Sequence, residues 1–189
     1  LIIKRFKMVL ICVVILLLIF TIIESLSLRG SVEGMERKVR SLNQPMTTIA
    51  HVERLGKMNA IVFYEWGTTE QYFGIARMKR SLLSWYFDGG STSAAPKDHK
   101  FGWSYSNLTG EVPYKGIFYG KIFDPEIEGM TLKSSDGREY SCNIVEYGSG
   151  ERFWFYLTDK VELSDSIVIA YSHSGEILEQ YPSQDSSAI

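Results

Sequence analysis

Gly116-Ile117-Phe118-Tyr119-Gly120-Lys121-Ile122-Phe123-Asp124-Pro125 is the stretch on which the fold turns. Aromatic and β-branched side chains dominate its first eight positions, and Asp-Pro then ends the run as a turn that cannot continue a ladder. Downstream the same grammar repeats. Ile127 to Ser134, Glu139 to Tyr147, Glu151 to Leu157, Ser166 to Ser172 and Glu176 to Tyr181 read as strands. Asp136-Gly137, Gly148-Ser149-Gly150 and Ser174-Gly175 punctuate them. Strands recurring at roughly ten-residue intervals between such turns predict an antiparallel sandwich or small barrel.

Upstream, Ala60 to Trp66 is a strand closed by Gly67-Thr68-Thr69-Glu70, with Gln71 to Lys79 as its hairpin partner. Leu83, Trp85 and Phe87 alternate onto one face of Leu83 to Asp88, and Asp88-Gly89-Gly90 ends that run as a turn. Ser91 to Lys100 reads as a loop and Phe101 to Ser106 as a further short strand. Thr47 to Met58 carries Ile49, Val52, Leu55 and Met58 at a spacing of three, which suits a short amphipathic helix or an extended lead into the first strand. The expected fold is therefore mostly β, antiparallel and sandwich-like, with one N-terminal transmembrane helix and at most one short helix in the globular part.

The transmembrane expectation rests on Met8 to Ile23, where nothing is more polar than Cys12 and Thr21. As a helix this run spans about 24 Å, somewhat less than a hydrocarbon core of about 30 Å. Phe6, Leu26 and Leu28 extend it and Lys7 can snorkel. Lys4, Arg5 and Lys7 precede it, which orients the N-terminus inside the cell. A cleavable signal peptide is the alternative, since Ser25-Leu26-Ser27 supplies small residues for a cut after Ser27; Glu24 and the length of the apolar run favour an uncleaved anchor. The expected localisation is the cell membrane, single-pass, with the globular part outside, or secretion if cleavage occurs near Ser27. Leu1 in place of Met is what a bacterial alternative start codon read literally would give, as would a boundary within a longer chain.

These runs divide the chain into a cytoplasmic tail and signal-anchor (1–28), a charged stalk ending at Asn43-Gln44-Pro45 (29–45), a small α+β or β lobe (46–110), a sandwich-like lobe (111–181) and a polar tail (182–189). The 189 residues are 45% hydrophobic and 22% charged, too apolar for disorder. Setting aside the three basic residues before the anchor leaves 17 basic against 22 acidic, a net charge of about −5. Nucleic acid is excluded as a partner by this balance, since phosphate binding needs clustered Lys and Arg. The cysteines, Cys12 in the anchor and Cys142 in the globular part, cannot pair across the membrane, and Cys142 in Tyr140-Ser141-Cys142-Asn143 reads as a buried, inert thiol.

No catalytic motif is present. His51, His99 and His173 lack zinc-ligand spacing, there is no Gly-x-Ser-x-Gly elbow, and Cys142 with His173 is a nucleophile pair by presence alone. Gly89-Gly90-Ser91-Thr92-Ser93 lacks the Lys and helix of a phosphate loop. Asp124, Glu126 and Glu128 fall at every second residue, so an extended chain would point three carboxylates one way, a candidate for calcium against the simpler reading of a turn and a solvated edge. Trp85, Trp103 and Tyr105 are the candidate binding aromatics, a platform for a glycan or partner peptide if exposed and core if not. No cofactor is implied.

Tyr119-Gly120, Asp124-Pro125-Glu126-Ile127, Met130-Thr131-Leu132, Asp136-Gly137, Phe153-Trp154-Phe155 and Ser174-Gly175-Glu176-Ile177 together resemble a β-sandwich module of small exported proteins of Gram-positive bacteria. Ile61-Val62-Phe63-Tyr64, Ser84-Trp85-Tyr86 and Gly89-Gly90 are similar to uncharacterised single-pass proteins of the same kind. The resemblance implies export, an anchor and a β-sandwich, and carries no catalytic residue. The expected function is thus a membrane-anchored extracytoplasmic binding or regulatory module of the bacterial envelope, with the membrane engaged through residues 8–23 and an envelope protein or glycan as partner. A motif-less envelope hydrolase and a structural spacer are the alternatives.

Overall fold

A computed structural model describes residues 11–22, 31–42, 47–67, 72–81, 84–94, 98–108, 113–160, 163 and 165–181. Residues 11–22 are helical (α1) and Val32–Arg40 form α2. Twelve strands come after them among the described residues: β1 Thr48–Arg54, β2 Asn59–Trp66, β3 Tyr72–Arg80, β4 Trp85–Ala94, β5 Ser104–Asn107, β6 Gly116–Ile122, β7 Gly129–Lys133, β8 Glu139–Ser141, β9 Asn143–Tyr147, β10 Glu151–Thr158, β11 Ile167–Tyr171 and β12 Ile177–Tyr181. They make three four-stranded antiparallel sheets: a meander β1-β2-β3-β4, a central sheet β5-β6-β10-β9, and an outer sheet β12-β11-β7-β8. The mostly-β, antiparallel, sandwich-like fold is as the sequence leads one to expect, with three sheets instead of a single pair.

Side-chain alternation explains the stacking. Along β6, Ile117 and Tyr119 join Phe153 and Phe155 of β10 against Ile61, Phe63, Phe73 and Ile75 of the meander. Phe118 and Ile122, with Trp154, face the other way onto Met130, Leu132, Val168 and Ala170 of the outer sheet. Every residue of β6 is buried. A strand covered on both faces reads as a continuous apolar run, which Gly116 to Ile122 is except at Lys121. The meander's far face, with Ala60, Val62, Tyr64, Ala76, Met78 and Trp85, is covered by Met35 and Val39 of α2, both fully buried. Those two lie four residues apart on one helical stripe. Ser31 caps α2 by accepting from the Gly34 N–H, Glu33 sits in its first turn, and Arg37, Lys38 and Arg40 in its last, as the helix dipole favours. The charged stretch 29–45 thus contributes a helix docked on the meander.

Three local readings change. Thr48–Arg54 is a strand, the extended alternative, not the amphipathic helix. Glycines 89 and 90 do not end β4: it bulges at Asp88 and runs on to Ala94 paired with β3. A Cβ at position 90 would collide with the Ile75 carbonyl, so Gly90 serves close packing across the pair, while Gly89 holds the positive φ of 149° beside the bulge. The run Glu139 to Tyr147 is cut at Cys142, whose N–H bonds Met130 O at 2.9 Å, and the chain passes there from the outer to the central sheet. Leu83 and the tail 182–189 lie outside the described residues. No helix among the described residues is long and apolar enough to cross a membrane, α1 being described over residues 11–22.

The tightest constraint lies where Phe101-Gly102-Trp103 crosses the outward face of β6. A Cβ at Gly120 would overlap the Gly102 carbonyl, and that carbonyl accepts from Trp154 Nε1 at 3.0 Å in a buried position. We expect Gly120→Ala to lower unfolding free energy by about 3 kcal/mol, because backbone and not a flexible side chain must give way. Thermal or urea unfolding of the variant measures it; a change below about 1 kcal/mol would refute the close-approach role.

Candidate functional site

β1 is an edge strand, and its alternation is interrupted. Ile49 pairs with Tyr64 and His51 with Phe63, leaving Ala50 as the extra residue of a bulge. The bulge re-aims the side chains beyond it. Ile49 and Val52 pack on the α2 side, while Ala50 and Leu55 belong to the core between the meander and the central sheet. His51 consequently turns toward that apolar interlayer at its open edge, its ring 6.1 Å from Phe63, 6.2 Å from Phe153 and 6.2 Å from Phe155. Its Nε2 lies 3.2 Å from Glu53 Oε2, two residues along on the same face.

The facing edge is β9, and between β1 and β9 opens a groove of about 510 Å³. His51, Glu53, Tyr114, Ser141, Asn143 and Tyr156 give it hydrogen-bonding groups; Ile144, Val145, Phe155 and Leu157 give it apolar walls. Among the described residues no Lys or Arg lines it. Anionic ligands therefore find no counter-charge there, whereas a neutral hydroxyl- or amide-rich ligand, or a cationic one facing Glu53, finds donors, acceptors and aromatic surface together. His51 and Glu53 escape a helical reading of Thr47 to Met58, which sets residues two apart on different sides. Read as a strand, His-x-Glu shares one face, and that is the signal that could have found them.

The residues singled out from sequence fare unevenly. Trp85 is 1% exposed in the core under α2. Trp103 and Tyr105 are half-buried, both against Phe118, at centroid distances of 6.5 Å and 4.7 Å, and Trp103 also meets Tyr181 at 5.3 Å. They lie by the β5 edge, away from the β9 edge of the same sheet. Asp124, Glu126 and Glu128 do not form a cation site. Residues 125 and 126 are a turn, so the extended alternation that would align them is absent. Asp124 is engaged by the Lys100 ammonium and by the Glu126 N–H, and among the described residues no group of three or more His, Cys, Asp or Glu could hold a metal ion. Burial pushes the Cys142 thiol up to about 12, so it stays protonated and is no nucleophile at neutral pH. His99 is bound to Glu179 at 2.7 Å, and His173 is exposed in a turn.

A second polar cluster crosses the same interlayer. Lys121 on β6 and Glu65 on β2 form an ion pair whose side chains are 9% and 15% exposed, with the Tyr147 ring 6.0 Å from the ammonium. Burial, then the Glu65 carboxylate, pushes the Tyr147 phenol far above its usual range. Removing one charge strands the other, so Lys121→Met is expected to cost about 3–5 kcal/mol and Lys121→Met with Glu65→Leu markedly less, as unfolding of both variants would reveal. Acid acts elsewhere. The Lys100 hydrogen bond and then the Glu126 N–H hold Asp124 below its ordinary value, and the Ser134 hydroxyl and Arg138 N–H do the same for Asp136. Carboxylates lowered in the fold contribute stability that is complete above their unfolded values and is lost as pH falls through the folded ones. The melting temperature should be level above about pH 5 and decline below about pH 4, with a shallower decline in Asp124→Asn; an unchanged acid limb in that variant would remove Asp124 from the account. Comparison with known proteins finds no matching family model, no similar curated protein and no similar solved structure.

Proposed function

We propose that this chain is a membrane-anchored extracytoplasmic binding module: residues 8–23 hold it in a cell membrane with the N-terminus cytoplasmic, and the β-rich part outside takes a ligand into the groove between β1 and β9. The observation that carries the reading is α1. Each of its described residues, 11–22, is exposed, and its ten large apolar side chains are between 46% and 65% exposed. A helix apolar all round belongs inside protein or lipid, and none of the described residues covers this one. Leaving those side chains in water rather than hydrocarbon costs on the order of 10 kcal/mol. Its one hydroxyl, on Thr21, donates to Leu18 O at 2.9 Å, the way such a group is satisfied without water. Lys4, Arg5 and Lys7, immediately before the run, support the N-inside orientation.

The groove supports the binding half. It joins polar groups from four strands and from Tyr114 before β6 to an aromatic wall, and its lack of cations favours a neutral glycan or an uncharged or basic peptide segment of the envelope. One observation favours a second reading, an envelope hydrolase: His51 is held by Glu53 in the same groove as Ser141, a base, its orienting carboxylate and a hydroxyl. Against it, Nε2 is engaged with Glu53 and not with Ser141.

The chain expressed in bacterial cells should float with membrane vesicles and resist carbonate extraction, and Leu16→Lys with Leu17→Lys should move it to the soluble fraction. A wild-type chain released by carbonate would overturn the anchor. Saturation-transfer NMR with neutral oligosaccharides and with envelope peptides, on wild type and His51→Ala, tests the groove; a signal surviving unchanged in the variant would put the ligand elsewhere.

A further inference from the structure

The extended run Glu139 to Tyr147 serves two sheets, and its change of sheet leaves a gap. β9 pairs with β10 from Tyr147 opposite Glu151 to Asn143 opposite Phe155. One step further, the register would set Ser141 opposite Leu157. Ser141 pairs instead with Thr131 of β7, and the Cys142 N–H bonds Met130 O, both in the outer sheet. β10 itself runs on to Thr158, opposite Gly116 of β6. Past Phe155 its β9 side therefore has no strand partner among the described residues. The backbone groups aimed at the gap can be named. Thr158 O accepts from the Lys115 N–H at 2.6 Å, on the β6 side. Lys121, opposite Phe153, gives its carbonyl to the Gly102 N–H at 2.8 Å, on the side away from β10. Alternation along an antiparallel ladder then turns the N–H and C=O of Phe153, Phe155 and Leu157 toward β9. Phe153 and Phe155 meet Val145 and Asn143 there; Leu157 meets no strand.

The gap belongs to the groove: Ser141, Asn143 and Leu157 line it together with His51 and Glu53 of β1. An interrupted sheet edge presents a donor and an acceptor at strand spacing, which an extended peptide backbone matches and a sugar ring does not. Aromatic walls suit a glycan when their rings are free, but Phe155 packs on Phe63 at 5.0 Å and Tyr156 on Tyr140 at 5.5 Å. Glu53 is the one carboxylate of the described lining and no Lys or Arg accompanies it, so the complementary segment is neutral or basic. Resting on the groove reading, we propose that the groove is a strand-addition site: an extended neutral or basic peptide segment lies in line with β9, exchanges backbone hydrogen bonds with Leu157, and sets a side chain against Glu53. The segment restores the pair that Ser141 gives up when the chain changes sheets. Because the gap opens only beyond Phe155, it takes a short segment and not a whole strand, and the rest of the β10 edge stays closed to other chains.

The test is amide hydrogen exchange by NMR on the full chain in detergent micelles. The probes are a mixed library of capped pentapeptides of Val, Thr and Lys, the same library N-methylated throughout, and chitotetraose. Without ligand, the Leu157 N–H should exchange at least about tenfold faster than those of Phe153 and Phe155. The peptide library should slow Leu157 about tenfold, the N-methylated library should not, and Glu53→Gln should weaken peptide binding about threefold. A Leu157 amide as protected as Phe155 in the ligand-free chain would show the edge already paired and overturn the proposal. Peptide or tetrasaccharide that shifts the His51 and Tyr156 resonances without slowing Leu157 would overturn strand addition and leave the groove standing as a binding site. If neither ligand shifts those resonances, the groove reading falls, and strand addition with it.

Discussion

The central sheet has to satisfy two apolar layers at once, and nearly everything else depends on that requirement. β6 and β10 carry large side chains in both directions: Phe153 and Phe155 toward the meander, Trp154 toward the outer sheet. Such strands cannot be solvated on either face, so the meander and the outer sheet are both obligatory. The polar groups that enter these layers come with partners. Trp154 Nε1 reaches Gly102 O, Tyr119 OH reaches Ser91 O at 3.1 Å, and Arg152 donates to Ile127 O at 2.7 Å and Asp124 O at 2.9 Å. The Tyr119 bond ties the central sheet to the meander, and the others tie β10 to the segments just before β5 and just after β6, fixing a register that apolar contact alone does not.

Much of this was legible in the chain. Turn chemistry found nearly every strand in the second half to within a residue or two, since Asp124-Pro125, Asp136-Gly137, Gly148-Ser149-Gly150 and Ser174-Gly175 each offer backbone shapes that strands cannot hold. Layer membership was not legible. Alternation says that Ile117 and Phe118 face opposite ways, but not that both faces are covered, nor that residues 104–107 would pair with β6 across the expected lobe boundary. The Gly89-Gly90 pair misled for a related reason. Glycine signals a turn by its freedom and a close packing by its missing Cβ, and only the partner strand tells the two apart.

The candidate groove was hidden by the same ambiguity at a smaller scale. Ile49, Val52, Leu55 and Met58 keep a spacing of three, yet in the strand the bulge at Ala50 supplies the odd step, setting Ile49 and Val52 on one face and Leu55 on the other. A bulge has no reliable signature in one sequence, so a histidine re-aimed by it cannot be found by periodicity. The aromatics that drew notice first, Trp85 above all, are the ones the core consumes, because a large ring is more often volume than recognition.

A site placed between layers inherits their rigidity. The walls of the groove belong to β1, held through β2, and to β9, held through β10, and the distance between those sheets is set by packed Phe63, Phe153 and Phe155. Widening it would separate rings whose centroids lie 4.7 Å and 5.0 Å apart, in the core between the meander and the central sheet. The groove is therefore pre-formed, and a ligand entering it would not have to order its walls. The bonded His51–Glu53 pair can rearrange around a ligand without disturbing a sheet, because both side chains are about one-third exposed, and the exposed Ser141 and Asn143 side chains share that freedom. Discrimination between ligands would thus fall to these polar side chains at the rim, while β10 and its neighbours supply a fixed surface against which the choice is made.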